Sequence, residues 1–181
     1  AIVTITIDPI NDNPPVADDE SFSVDEGGTA TEADLDVGAT LLEGDTDLDL
    51  PHDTLTVDTT PVTDVQFGTL TLNDDGTFTY IHDDSENFSD SFVYTVRDEA
   101  GNTDTGTVTV TITPVNDNAP VADDESFTVD EGATATEADL DGGGNLLTDA
   151  TDLDSPFDTL TVDTTPDTDV AFGQLTLSDY G

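Results

Sequence analysis

Short stretches of alternating apolar and polar side chains recur along the chain and set its expected secondary structure. In Thr107-Val108-Thr109-Val110-Thr111-Ile112 and in Phe92-Val93-Tyr94-Thr95-Val96, every second side chain can face a core while its neighbours face water. The same reading predicts strands over 20–25, 29–34, 54–58, 68–73, 76–81, 91–97 and 105–112, divided by turn sequences such as Asp74-Asp75-Gly76 and Ala100-Gly101-Asn102. Helical periodicity is absent. Strands this short, packed into about a hundred residues, predict a two-sheet, immunoglobulin-like sandwich. Its expected core is Phe22, Val24, Leu55, Val57, Leu70, Leu72, Phe78, Tyr80, Phe92, Tyr94, Val96, Val108, Val110 and Ile112. Tyr94 is expected to be buried with its hydroxyl on backbone.

The pattern also repeats at long range. Shifted by 105 residues, residues 1–76 lie over 106–181 without a gap, and about 55 of the 76 aligned positions are identical. Pro120-Val121-Ala122-Asp123-Asp124-Glu125-Ser126-Phe127 thus repeats Pro15-Val16-Ala17-Asp18-Asp19-Glu20-Ser21-Phe22, and Ala1 to Ile7 matches the closing strand Gly106 to Ile112. The expected organisation is all-β, a tandem of immunoglobulin-like β-sandwich repeats of about 105 residues. Residues 1–13 would be the last strand and linker of a preceding repeat, 14–118 a complete repeat with its linker, and 119–181 the first part of a second, incomplete repeat.

Charge changes the picture. Against 43 acidic residues stands one base, Arg97, for a formal charge of -42. Self-repulsion on this scale opposes compaction, so a chain with regular strand patterns needs cations at specific sites or a screening medium. Of the acids, 34 are Asp and nine are Glu, and the shorter carboxylate suits tight calcium loops. With no basic patch, nucleic acid and anionic lipid are excluded as partners. No apolar run approaches a membrane span and no signal peptide is seen, so this segment is not expected to insert into a membrane. The chain has no Cys, and metal cross-links would take the place of disulfides in an extracellular setting. It also has no Lys, and neither His falls in a nucleophile or zinc motif, so no enzyme is expected. Carboxylate pairs of the glycosidase type abound, but an all-strand repeat without a long insert loop offers no pocket for a substrate.

The candidate chemistry sits at the joints. Asn11-Asp12-Asn13-Pro14-Pro15 and Asn116-Asp117-Asn118-Ala119-Pro120 lie where one run of strands ends and the next begins. They offer carboxylate and amide oxygens on a backbone held extended by Pro, which suits a hard cation such as Ca2+ shared between domains. A D-x-D pair follows each linker, Asp47/Asp49 and Asp152/Asp154. Residues two apart in an extended segment point to one side, and like charges that close favour a cation between them. Calcium takes roughly six to eight oxygens; the linker and D-x-D supply most of that shell, with Glu26, Asp98 and, in the second copy, Glu131 as further candidates. Asp45 is a weaker candidate because its counterpart is Ala150, and His52 is set aside because it aligns with Phe157. His82 is expected at the surface, and Arg97 is expected to pair locally with Asp98 or Glu99.

Several motifs together point to a family. They are Leu41-Leu42 followed by Asp45-Thr46-Asp47-Leu48-Asp49, then Asp53-Thr54-Leu55-Thr56-Val57, Phe67-Gly68-Thr69-Leu70-Thr71-Leu72 and Gly76-Thr77-Phe78-Thr79-Tyr80. Asp90-Ser91-Phe92-Val93-Tyr94-Thr95-Val96 with Asp98, and the strand running into Asn116-Asp117, complete the set. Over its whole length the chain resembles the bacterial cadherin-like repeats, also described as VCBS or bacterial Ig-like domains, of giant RTX-type adhesins. The resemblance implies calcium between successive domains, bound by a D-x-N-D-N linker, a D-x-D and acids elsewhere. Here Pro9 and Pro114 replace the first Asp of that linker and no L-D-R-E motif occurs, which implies a different number or arrangement of ions. Gly142-Gly143-Gly144 reads as a loop, since no Gly-x-Asp of the RTX nonapeptide follows it. The implied function is a calcium-rigidified extender repeat of a secreted or cell-surface adhesin, partnered by neighbouring repeats of its own chain. Two alternatives stay open: a recognition module binding surface glycans or like repeats on other chains, and a filament subunit assembling by strand exchange.

Overall fold

Among the described residues seven strands form, in the order β1 (Glu20–Asp25), β2 (Thr29–Thr31), β3 (Thr56–Val57), β4 (Gly68–Leu72), β5 (Phe78–His82), β6 (Ser89–Arg97) and β7 (Thr103–Thr113). The computed structural model describes residues 2–141, 143–165 and 173–179; Ala1, Gly142 and Gly181, which enter the repeat alignment and the loop reading, lie outside them. The chain divides into two compact units, Ala1–Val115 and Asn116–Gly181.

In the first unit the strands make two sheets, one ordered β1-β7-β6-β3 and the other β2-β5-β4. β1 runs parallel to β7, with Phe22 opposite Val110, and the remaining pairs are antiparallel. The alternation decides which face is inward: Phe92, Tyr94 and Val96 of β6 and Val108, Val110 and Ile112 of β7 are buried, while the Thr residues between those of β7 are exposed. Between the sheets, the Phe22 ring lies 5.3 Å from Phe78 and edge-on to Tyr80 at 5.8 Å, and Phe78 meets Phe92 edge-on at 6.0 Å, geometries that aromatic quadrupoles favour. The expected core forms, except that Leu55 and Leu70 are only partly buried against it.

Departures from the expectations have local causes. The strand foreseen at 29–34 stops at Thr31, because Thr31 and Asp34 close a capping box, with the Thr31 N–H donating to Asp34 Oδ2 at 2.8 Å, and wind Glu32–Asp34 into a 3-10 turn. Ala30, Leu35 and Leu41 join the core; Leu41 lies in a loop where no alternation marks it. His82 is buried, correcting its expected surface position, since β5 runs one residue further and places it in phase with Phe78 and Tyr80. Its Nδ1 accepts the Gly27 N–H at 3.0 Å. Arg97 pairs across the sheet with Asp58 rather than with its chain neighbours, donating from Nε at 3.0 Å and from a terminal nitrogen at 2.6 Å.

In the second unit the early loops of the first recur. Val121 and Thr151 exchange backbone hydrogen bonds as Val16 and Thr46 do, and Glu137–Asp139 forms the same 3-10 turn. Its described residues carry no strand ladder. β1 is held by β7, and no counterpart of β5, β6 or β7 lies within residues 116–181. Phe127 and Val129, aligned with Phe22 and Val24, are exposed. Residues 2–10 likewise carry no strand, and Ile2, Val3, Ile5 and Ile7 are exposed. Among the described residues no helix is long and apolar enough to cross a membrane.

Candidate metal centre

The opening end of β7 gathers acids from three loops. Asp98 follows β6, Asp53 precedes β3, and Asp47 lies on the loop after Leu41; one carboxylate oxygen from each falls within 4.8 Å of the others. Asp53 and Asp98 are buried and Asp47 is half-buried. Part of each carboxylate is used to hold the loops. Asp53 Oδ1 accepts the Glu99 N–H at 3.1 Å, Asp47 Oδ1 accepts the Asp49 N–H at 2.8 Å, and Asp98 accepts the backbone and side-chain N–H groups of Asn102, each at 2.7 Å. The remaining oxygens, Asp47 Oδ2 and Asp53 Oδ2, are buried without a hydrogen-bond partner, and so is Asn11 Oδ1. Buried acceptors left unpaired are costly, and like charges this close repel. An oxygen-only set of this kind suits a hard divalent cation, whose charge reverses both penalties.

The two residues of the D-x-D pair divide their work. Asp49 does not turn its carboxylate to the group but to the linker: Oδ2 accepts the N–H groups of Asp12 at 3.0 Å and Asn13 at 2.8 Å, and Oδ1 accepts Asn13 Nδ2 at 3.1 Å. These donors, the Asn13 N–H first, hold its carboxyl below the usual carboxylate range. Asp12 is exposed and receives Asn13 Nδ2 at 3.1 Å.

The second unit repeats this wiring. Asn118 donates its N–H to Asp154 Oδ2 at 2.9 Å and its Nδ2 to Asp154 Oδ1 at 3.1 Å, while the Asp154 N–H reaches Asp152 Oδ1 at 2.9 Å. Asp152 Oδ2 is again buried and unpaired. Asn118 Nδ2 also reaches Asp117 Oδ1 at 3.1 Å, whereas Asn116 is exposed, unlike the buried oxygen of Asn11.

Glu26 does not join the Asp47–Asp53–Asp98 group. It lies past the far end of β7, which at about 3.3 Å of rise per residue is about 30 Å from the Asp98 end. There Glu26 Oε2 accepts the Val115 N–H at 3.1 Å, beside the second linker, and Oε1 is buried and unpaired. Glu131, its repeat, is exposed. Asp53 is the residue that sequence reasoning passed over as a ligand; it belongs to the Asp53-Thr54-Leu55-Thr56-Val57 motif and recurs as Asp158. Asp45, just upstream, is buried, and its carboxyl is pushed well above the usual range, by burial first and by Asp18 and Glu20 charges, against the lowering effect of the Asp18 N–H it accepts.

Comparison with known proteins gives the family. The profile of the family described as "bacterial cadherin-like domain" matches residues 11–114. A curated relative, the calcium-binding lectin RapA2 of Rhizobium johnstonii, is 31% identical over 96 residues, which span 48% of this chain and 38% of that protein. Among solved structures, the protocadherin GammaB4 extracellular domain is similar with a TM-score of 0.52 and 21% identity over 70% of this chain and 21% of its own, a likeness of fold. The human desmocollin-1 ectodomain is similar at a TM-score of 0.47 and 23% identity over 64% of this chain and 23% of its own. Since the profile match takes in more than half of its residues, the chain belongs to the bacterial cadherin-like domain family.

Proposed function

We propose that the chain is a calcium-stiffened extender of a bacterial surface adhesin, working outside the cell and partnered by the neighbouring repeats of its own chain. In this reading residues 14–118 are one repeat with its linker, residues 1–13 close the repeat before it, and 119–181 open the next. Calcium binds at the head of a repeat through Asn11, Asp47, Asp53 and Asp98, with the linker placed by Asp49. Its role is coordination, with no reaction catalysed. The observation that carries the proposal is the set of orphaned oxygens, Asn11 Oδ1, Asp47 Oδ2 and Asp53 Oδ2, buried in a chain of charge -42. A linker without metal bends freely; an ion that gathers linker and loop oxygens fixes its angle. Thermal melting and small-angle scattering in chelator and in millimolar calcium test this. Calcium should raise the melting temperature and lengthen the particle, and identical curves would reject the role.

A second reading, a calcium-dependent module that recognises carbohydrate, is favoured by the similarity to a lectin. A glycan array probed with and without calcium separates the two: a calcium-dependent hit supports recognition, and a blank array leaves the extender.

A further inference from the structure

Two of the three converging acids lean on one turn. The chain crosses from β6 to β7 through Asp98-Glu99-Ala100-Gly101-Asn102, a stretch whose sequence marks it only as a turn. Its backbone closes on itself: the Asp98 N–H donates to the Asn102 carbonyl at 3.1 Å and the Gly101 N–H to the Asp98 carbonyl at 3.3 Å. Gly101 takes a φ of +93, a left-handed conformation that suits glycine. The chain thus bends back and brings both donors of Asn102 onto one carboxylate. The Asn102 backbone N–H meets Asp98 Oδ1 and its Nδ2 meets Oδ2, each at 2.7 Å, the short end of the range for a nitrogen donor on a carboxylate. From the same turn, the Glu99 N–H holds Asp53 Oδ1 at 3.1 Å.

A carboxylate offers about four lone-pair sites. Asn102 takes one on each oxygen of Asp98, and the remaining ones stay open where one of those oxygens approaches Asp47 and Asp53. Gripped at two points, the carboxylate cannot rotate. Asp98 is 3% exposed, so water cannot stand in for a lost donor. Resting on the calcium reading above, we propose that Asn102 is a positioning residue of that site, which sets its affinity by fixing the plane of the Asp98 carboxylate. Outer partners of this kind change metal affinity by about 10–100-fold when removed. The effect opposes that of simple charge. An acid at position 102 would add a carboxylate near the ion, and attraction alone would then tighten binding. It would also set an acceptor against Asp98 Oδ2 where a donor had been, and so turn Asp98 away.

Calorimetric calcium titration of the whole chain, with melting in chelator to show that each variant is folded, tests this. Asn102→Ala and Asn102→Asp should each weaken one calcium site by about 10–100-fold. Added to Asp47→Asn/Asp53→Asn, which removes that site, Asn102→Ala should change no remaining affinity. Asn73 serves as a control, since it closes the β4–β5 turn and gives its side-chain N–H to Thr77 Oγ1 at 2.9 Å rather than to a converging acid. Asn73→Ala should lower the melting temperature in chelator and leave calcium affinity as it is. Wild-type affinity in Asn102→Ala, tighter binding in Asn102→Asp, or an equal loss of affinity in Asn73→Ala would overturn the role of Asn102 and leave the calcium reading standing. A wild-type chain that takes up no calcium would overturn both.

Discussion

Asp49 is bound to Asn13 through both of its carboxylate oxygens: Oδ2 takes the Asn13 N–H at 2.8 Å and Oδ1 takes Asn13 Nδ2 at 3.1 Å. Asp154 and Asn118 repeat the relationship. The second Asp of the D-x-D pair is thus a latch that sets the linker's path over its repeat, and the first is left to face Asp53 and Asp98. Asp49→Ala should abolish amide exchange protection at Asp12 and Asn13, whereas Asp47→Asn, which keeps an acceptor for the Asp49 N–H, should preserve it. Hydrogen–deuterium exchange resolved to the linker checks both. Equal loss of protection in the two variants would dissolve this division of roles.

Asp47 and Asp53 carry the opposite burden, each with one oxygen buried and unpaired. Replacing both by Asn removes repelling charge, so the variant should melt slightly above wild type in chelator. In calcium the order should reverse. An ion at about 100 times its dissociation constant stabilises by about 2.7 kcal/mol, and about 4–8 °C of melting temperature corresponds to each kcal/mol in a domain of this size. Wild type should therefore gain about 10–20 °C that the variant does not. Scanning calorimetry with chelator and calcium arms measures it.

Asp90 shows what a buried acid looks like when the protein itself satisfies it. Its oxygens accept the N–H groups of Gln66 at 3.1 Å, Phe67 at 2.9 Å and Ser91 at 2.8 Å, and the Tyr80 hydroxyl at 3.2 Å. Asp90→Ala strands these donors, each at about 1–3 kcal/mol when left unpaired in the interior. The loss of stability should be several kcal/mol, and the same in chelator and in calcium. Denaturant unfolding in the two media tests this. A loss that calcium repairs would move Asp90 into the metal chemistry.

Arg97 and Asp58 offer a pH signature. The guanidinium, by its hydrogen bonds first and its charge second, holds the Asp58 carboxyl below its usual range. A carboxyl lowered on folding adds stability above its unfolded pKa of about 3.9, and that stability is lost as pH falls through the folded value. Both side chains are well exposed, 42% and 38%, so solvent screening keeps the pair's contribution small. The difference in stability between wild type and Arg97→Gln should be flat from pH 8 to about 5, begin to shrink as pH falls below about 4, and vanish only once pH has passed below the lowered folded value; it should also be smaller in high salt.

Strand positions and the aromatic core were readable because side-chain alternation is a local property, visible in Phe92-Val93-Tyr94-Thr95-Val96 without knowledge of any partner strand. The place of His82 was not readable, since it depended on β5 running one residue longer. Of the three acids whose oxygens converge, Asp47 and Asp98 were singled out through spacing and motif. Asp53 was missed because its role arises only when the loop before β3 folds against Glu99. Asp49 and Asp47 look alike in the sequence; which oxygen meets an amide and which is left bare is decided by how the linker crosses the loop. Arg97 chose Asp58 over Asp98 because consecutive side chains of a strand leave by opposite faces, while a facing strand lies within reach.

The near-identity of the two copies conceals a difference that a paired substitution exposes. Phe22 is 1% exposed, packed on Phe78 and Tyr80, and its strand is held by β7. Phe127, the same residue 105 positions later, is 55% exposed. Phe22→Ala should destabilise the first unit by about 3–5 kcal/mol, the transfer loss plus the cavity it leaves. Phe127→Ala should change stability by under about 0.5 kcal/mol. Chemical denaturation followed by the fluorescence of the buried Tyr80 and Tyr94 reads the first, and the same titration at several protein concentrations reads the second. If Phe127→Ala instead costs as much as Phe22→Ala, and the cost grows with concentration, then the second unit's sheet is being completed by another chain. Strand exchange between copies would in that case replace the extender as the better account of how these repeats assemble.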